Sequence, residues 1–87
     1  MYVKNIRTVE EYIKAAVATA RFERIEDGRK VYAEIPGFQG VWAEGHTRQE
    51  AREQLREVLR GWIELQLERQ YALPAVKGMQ PDQFTFA

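Results

Sequence analysis

The 87-residue chain contains no cysteine and no serine. The first absence excludes disulfides, thiolate metal sites and cysteine nucleophiles. The second removes the hydroxyl nucleophile that hydrolases use most. Histidine occurs once, at His46, which falls short of the three or four protein ligands that zinc takes. Aspartate occurs only at Asp27 and Asp82, which argues against a polyacidic two-metal nuclease site. No apolar run approaches the ~20 residues of a membrane span, and the first residues carry no signal-peptide core. The expectation is a soluble, cytoplasmic protein with no cofactor, no metal and no membrane association. Net charge is lacking too: 13 basic residues balance 13 acidic ones. A local basic patch is compatible with that balance, but the overall neutrality favours a protein partner over a polyanion, and direct DNA binding is not expected.

What is present is a single small globular domain, 45% hydrophobic and 30% charged. A chain of this length buries only about 60–65% of its unfolded surface, so self-association is one route to added stability. Thr8 stands three residues before Glu11, the capping-box spacing. Val9, Tyr12, Ile13, Ala16, Val17 and Ala20 then follow one apolar helical face, predicting a helix over about 8–19. The period shortens to two in the next segment. Two strand-like runs, about 20–26 and 30–35, flank Asp27-Gly28, a dipeptide that takes the positive φ angles of a hairpin turn. Pro36 cannot donate to a sheet ladder and ends the second run. A third run, about 41–44, alternates Val41 and Ala43 with Trp42 and Glu44.

Thr47 and Glu50 repeat the capping-box spacing and open a long helix over about 48–70. Its apolar stripe runs through Ala51, Leu55, Val58, Leu59, Trp62, Ile63 and Leu65. Gly61 inside this helix costs roughly 1 kcal/mol against alanine, which calls for a close packing partner. The predicted order is α-β-β-β-α, an α+β fold with a three-stranded antiparallel meander packed on the long helix. The domain covers 1–73, and a tail over 74–87 carries Phe84 and Phe86, expected to dock as a short edge strand or on a neighbouring subunit.

Half of the six glycines, Gly37, Gly40 and Gly45, fall within nine positions. A phosphate-cradling loop would place its glycines between a strand and a helix, with a lysine or a downstream acid. Here Gly37 and Gly40 lie between two strands, and neither GxGxxG nor GxxxxGK[ST] occurs. Turn geometry is the stronger reading. His46 has only Thr47 beside it, already committed as a cap, and is read as a surface loop residue. Glu34 and Glu44 fall on neighbouring strands, where they can bind a cation or pair across strands with Arg24 or Arg29. If Val31, Ala33, Ile35, Val41 and Ala43 face the helices, Tyr32 and Trp42 project with Glu34 and Glu44 from the opposite face. An aromatic-plus-acid sheet face suits a protein interface. It also suits base stacking in a single-strand RNA-binding module, although the acids count against that. A register slip of one residue would instead bury Trp42. No catalytic constellation emerges, and the chain is not expected to be an enzyme.

The stretch RIEDGRKVYAEIPGFQGVWAEGHTRQEAREQLREVLRGWIELQLE resembles the HicB-like antitoxins of bacteria and archaea. Asp27, Gly28, Val31, Ala33, Pro36, Gly40, Gly45, Thr47, Glu50, Ala51 and Trp62 occupy positions of that pattern, and Gly37 follows Pro36 within it. Departures fall at Phe38-Gln39-Gly40-Val41 and at His46, leaving the turn glycine and the helix cap intact. Nothing after Tyr71 matches the DNA-binding segment that longer members append, so the likeness is to the short, single-domain members. The resemblance implies a partial ribonuclease-H-like fold without catalytic residues. It further implies binding and neutralisation of a HicA-type mRNA-cleaving toxin, and assembly into dimers or tetramers. The alternative is a stand-alone oligomeric module with another partner. Tyr32, Glu34, Trp42, Glu44, Phe84 and Phe86 are the candidate interface residues.

Overall fold

The structure, a computed structural model, describes residues 8–76 of the chain. Phe84, Phe86 and the expected edge strand of the tail lie outside the described residues. Five elements follow in order: α1 (Val9–Val17), β1 (Arg21–Ile25), β2 (Lys30–Glu34), β3 (Trp42–Gly45) and α2 (Arg48–Glu68). The strands form one antiparallel sheet in the order β1-β2-β3, with both helices on one face, as the periodicities predict. No helix among the described residues is long and apolar enough to cross a membrane.

Both helices begin where a threonine supplies an acceptor. Thr8 Oγ1 accepts from the Glu11 N–H and Thr47 Oγ1 from the Glu50 N–H, each at 3.0 Å. Replacing such a cap typically costs ~1 kcal/mol. Glu50 reaches back one residue further than a standard box requires, taking the His46 N–H at 3.3 Å and His46 Nδ1 at 3.2 Å. α2 stops in a Schellman turn: the Tyr71 N–H donates to the Gln66 carbonyl at 2.8 Å and the Gln70 N–H to that of Leu67 at 3.0 Å. Gln70 carries the left-handed φ of +61° that this turn needs and that glycine takes more readily.

Val9, Tyr12, Ile13, Ala16 and Val17 of α1 pack with Ala51, Leu55, Leu59 and Ile63 of α2 over Val31, Ala33 and Ala43 of the sheet. Phe38, from the loop between β2 and β3, closes the core's edge, its ring centroid 6.2 Å from that of Tyr12 and 5.3 Å from that of Trp62. Tyr12 is fully buried and donates its hydroxyl to the Pro74 carbonyl at 2.6 Å, tying the segment after α2 to α1.

The apolar stripe of α2 is wider than the core it serves. Val58 and Leu65 stay 38% and 40% exposed, because they sit on the shoulder of the helix turned away from α1. Among the described residues Gly61 meets no packing partner: outside its own stretch of helix, none of their atoms lies within 4 Å of where a Cβ would stand. Its neighbours along this shoulder are the exposed Val58 and Leu65, so within the described residues its smallness serves no contact.

Candidate functional site

The glycine-rich stretch from Glu34 to Ala51 divides into a turn and a junction. After Ile35, the Phe38 N–H donates to the Ile35 carbonyl and the Val41 N–H to the Phe38 carbonyl, two successive reversals. Pro36 presets the first, and Gly37 and Gly40 take φ values of +88° and +81° there. Gly45 differs. It ends β3 opposite Val31 and needs its missing side chain for space, since a Cβ would fall 2.6 Å from the Ala51 nitrogen. Pro36, Gly37, Gly40 and Gly45 therefore hold positions that shape the backbone. The same holds for the hairpin, where Asp27 and Gly28 have φ of +58° and +83° and Glu26 extends the run with +51°.

The ladder registers decide which side chains share the solvent face of the sheet. Tyr32 faces Glu44 and Glu34 faces Trp42 across β2 and β3. Glu34 faces Arg21 and Tyr32 faces Glu23 across β1 and β2. Strict alternation places Tyr32, Glu34, Trp42 and Glu44 together, opposite the helices. Trp42 is 51% exposed, so a slipped register that would bury it is excluded. The rings of Tyr32 and Trp42 stack at 5.9 Å and 27°. Tyr32 Oη donates to Glu34 Oε2 at 3.3 Å. Desolvation, and then the negative charges of Glu34, Glu23 and Glu44, raise the Tyr32 phenol above its usual value, so it stays a neutral donor.

The acids find different neighbours from those the sequence suggests. Arg24 points to the helix side, opposite Val31, and takes no part at this face. Lys30 does: its ammonium lies 3.3 Å from Glu26 and 3.9 Å from Glu44. Alternation from Tyr32 makes Lys30 legible in the sequence; the Arg21–Glu34 pairing is not, because it depends on the length of the hairpin loop. An open cleft of about 820 Å³ continues this face from Tyr32 and Glu34 past Pro36 and Phe38 to Trp42 and Trp62. Among the described residues no three acidic, histidine or cysteine side chains converge in a metal-binding cluster. The arrangement offers a stacked aromatic platform bordered by Glu23, Glu34 and Glu44, with Arg21 opposite Glu34 and Lys30 beside Glu44.

A family model described as UPF0150-like matches residues 11–74. No curated protein matches the chain. Among solved structures, the crystal structure of TTHA0281 from Thermus thermophilus is similar at 32% identity and a TM-score of 0.78. That similarity covers 86% of this chain and 93% of the Thermus chain.

Proposed function

The chain belongs to the UPF0150-like family, and on that premise we propose that it is a non-catalytic HicB-like antitoxin, which binds and neutralises a HicA-type mRNA-cleaving toxin by protein–protein contact. The observation that carries this reading is the Tyr32–Trp42 stack on the outer sheet face, with Trp42 exposed and Tyr32 half-buried, bordered by Glu23, Glu34 and Glu44. A protein that handles mRNA presents lysines and arginines to phosphate. An aromatic centre with an acidic rim complements such a surface, with the aromatics as anchors and the acids steering encounter. The absence of serine and cysteine nucleophiles supports a role by contact rather than catalysis. An mRNA-directed partner places the protein in the cytoplasm.

Co-expression with a HicA-like protein encoded beside it tests the reading. The two proteins are expected to co-elute and growth arrest to be relieved, with both effects lost in Trp42→Ala combined with Glu44→Lys. A wild-type chain that neither binds the toxin nor restores growth would overturn the proposal.

A second reading has its own support: the chain associates with itself through the Val58–Gly61–Leu65 shoulder of α2. Exposed apolar residues flank a glycine that lets another backbone approach closely. Light scattering across a concentration series would show a dimer or tetramer; a monomer at every concentration would remove this reading.

A further inference from the structure

Arg48, Arg52, Arg56 and Arg60 stand at four-residue intervals on the flank of α2 that turns toward α1 and β1. Like charges at this spacing disfavour a helix. Arg60 alone is neutralised, by Glu10 of α1. Among the described residues, Lys14, Arg48, Arg52 and Arg56 join no ion pair. The acids of α2 collect elsewhere, Glu50, Glu53, Glu57 and Glu64 following one another on a separate stripe of the helix. Neutrality of the whole chain thus conceals a local basic cluster, bordered at its far end by Glu10 and Glu57 beside Lys14, Arg56 and Arg60.

Between α1, β1 and α2 lies a depression of about 340 Å³ lined by Lys14, Val17, Phe22, Arg48, Arg52 and Arg56. The guanidinium carbons of Arg48 and Arg52 stand 4.3 and 5.3 Å from the Phe22 ring centroid. Stacking on that ring restrains both groups and leaves their N–H edges free for an anion.

We propose that this depression binds the phosphate backbone of a single nucleic-acid strand, held by Lys14, Arg48, Arg52 and Arg56. Four residues of helix rise about 6 Å, so the three arginines offer cations over about 12 Å, the scale of successive phosphates on one strand. A protein occupant would need an apolar anchor at its centre. The apolar floor here is roofed by Arg48 and Arg52, which leaves a charged surface without such an anchor. The depression is also too small for a duplex to enter. Contacts to phosphate alone carry no sequence information, so binding is independent of sequence and sensitive to salt. The site lies on the helix side of the sheet, away from Tyr32 and Trp42, and does not rest on the antitoxin reading.

Fluorescence anisotropy of the full chain with fluorescein-labelled 12-nucleotide oligo-U and oligo-dT tests the proposal, with a 12-base-pair duplex for comparison. Both single strands should bind with Kd of about 10⁻⁴–10⁻⁶ M at 150 mM KCl and about ten- to twenty-fold more tightly at 50 mM. Three or four phosphate contacts predict weakening by about twenty- to fifty-fold at 200 mM KCl. Lys14→Gln with Arg56→Gln spares the Phe22 roof and should weaken binding at least about five-fold, with unchanged circular dichroism and unchanged affinity in Trp42→Ala. Three outcomes would overturn the proposal: no binding at 50 mM KCl, equal binding by the Lys14/Arg56 variant, or tighter binding of the duplex or of a poly-glutamate competitor. A failed antitoxin assay leaves these results untouched.

Discussion

Gly45, the last residue of β3, lies against Ala51 in the first turn of α2, so close that a Cβ on Gly45 would stand 2.6 Å from the Ala51 nitrogen and 2.9 Å from the Glu50 carbonyl carbon. Both of those atoms are backbone and cannot swing aside. Gly45→Ala should push α2 away from the sheet and destabilise the fold by about 1–3 kcal/mol or more. Urea unfolding would show a lower midpoint at an unchanged m-value.

The Tyr12 hydroxyl and the Pro74 carbonyl are 62 residues apart in sequence and 2.6 Å apart in space. Tyr12→Phe leaves that carbonyl without this donor and should cost about 1–2 kcal/mol. The alkaline behaviour should change as well. Burial raises the Tyr12 phenol well above its usual value, so the folded state keeps a proton that the unfolded state releases. Below the ordinary tyrosine range of about 10 this contribution to stability is complete, and it declines as pH rises through that range and beyond. Unfolding midpoints measured between pH 8 and 11 should fall more steeply for the wild type than for Tyr12→Phe.

Gly61 stands mid-helix with open space around it. Gly61→Ala should therefore stabilise the isolated chain by about 0.5–1 kcal/mol, through the unfolded state and helix propensity. That gain corresponds to a rise in Tm of a few degrees for a domain this size. If self-association uses the Val58–Leu65 shoulder, the same methyl should weaken it, and the concentration dependence of Tm should diminish.

Gln70 holds a left-handed φ of +61° at the end of α2. Gln70→Gly relieves a cost of about 1–2 kcal/mol for a side chain in that region but adds freedom to the unfolded chain. The net expectation is a gain of about 0.5 kcal/mol, read as a small rise in the thermal midpoint.

What the sequence determined by itself was local. Thr8 with Glu11 and Thr47 with Glu50 mark helix starts because a cap and its donor lie within one turn of chain. The alternation of Val31, Tyr32, Ala33 and Glu34 sorts side chains onto two faces because a strand's pleat has period two. Together with the hairpin and the prolyl turn, these signals carry the α-β-β-β-α order and the composition of the outer sheet face.

Tertiary structure decided what depends on approach between distant segments. The periodicity of α2 marks Val58 and Leu65 as core-facing, but the sheet and α1 cover only one flank of that helix. Glycine's backbone freedom explains Gly37 and Gly40; only the packing of α2 on β3 reveals that Gly45 is required for space. The arginine ladder is visible in the sequence as four residues at equal intervals, yet its setting is not. Phe22 lies 26 residues before Arg48, and folding alone brings that ring beneath the guanidinium groups of Arg48 and Arg52, which join no ion pair among the described residues. Local periodicity specifies which face a residue belongs to; only the fold specifies what, if anything, stands opposite that face.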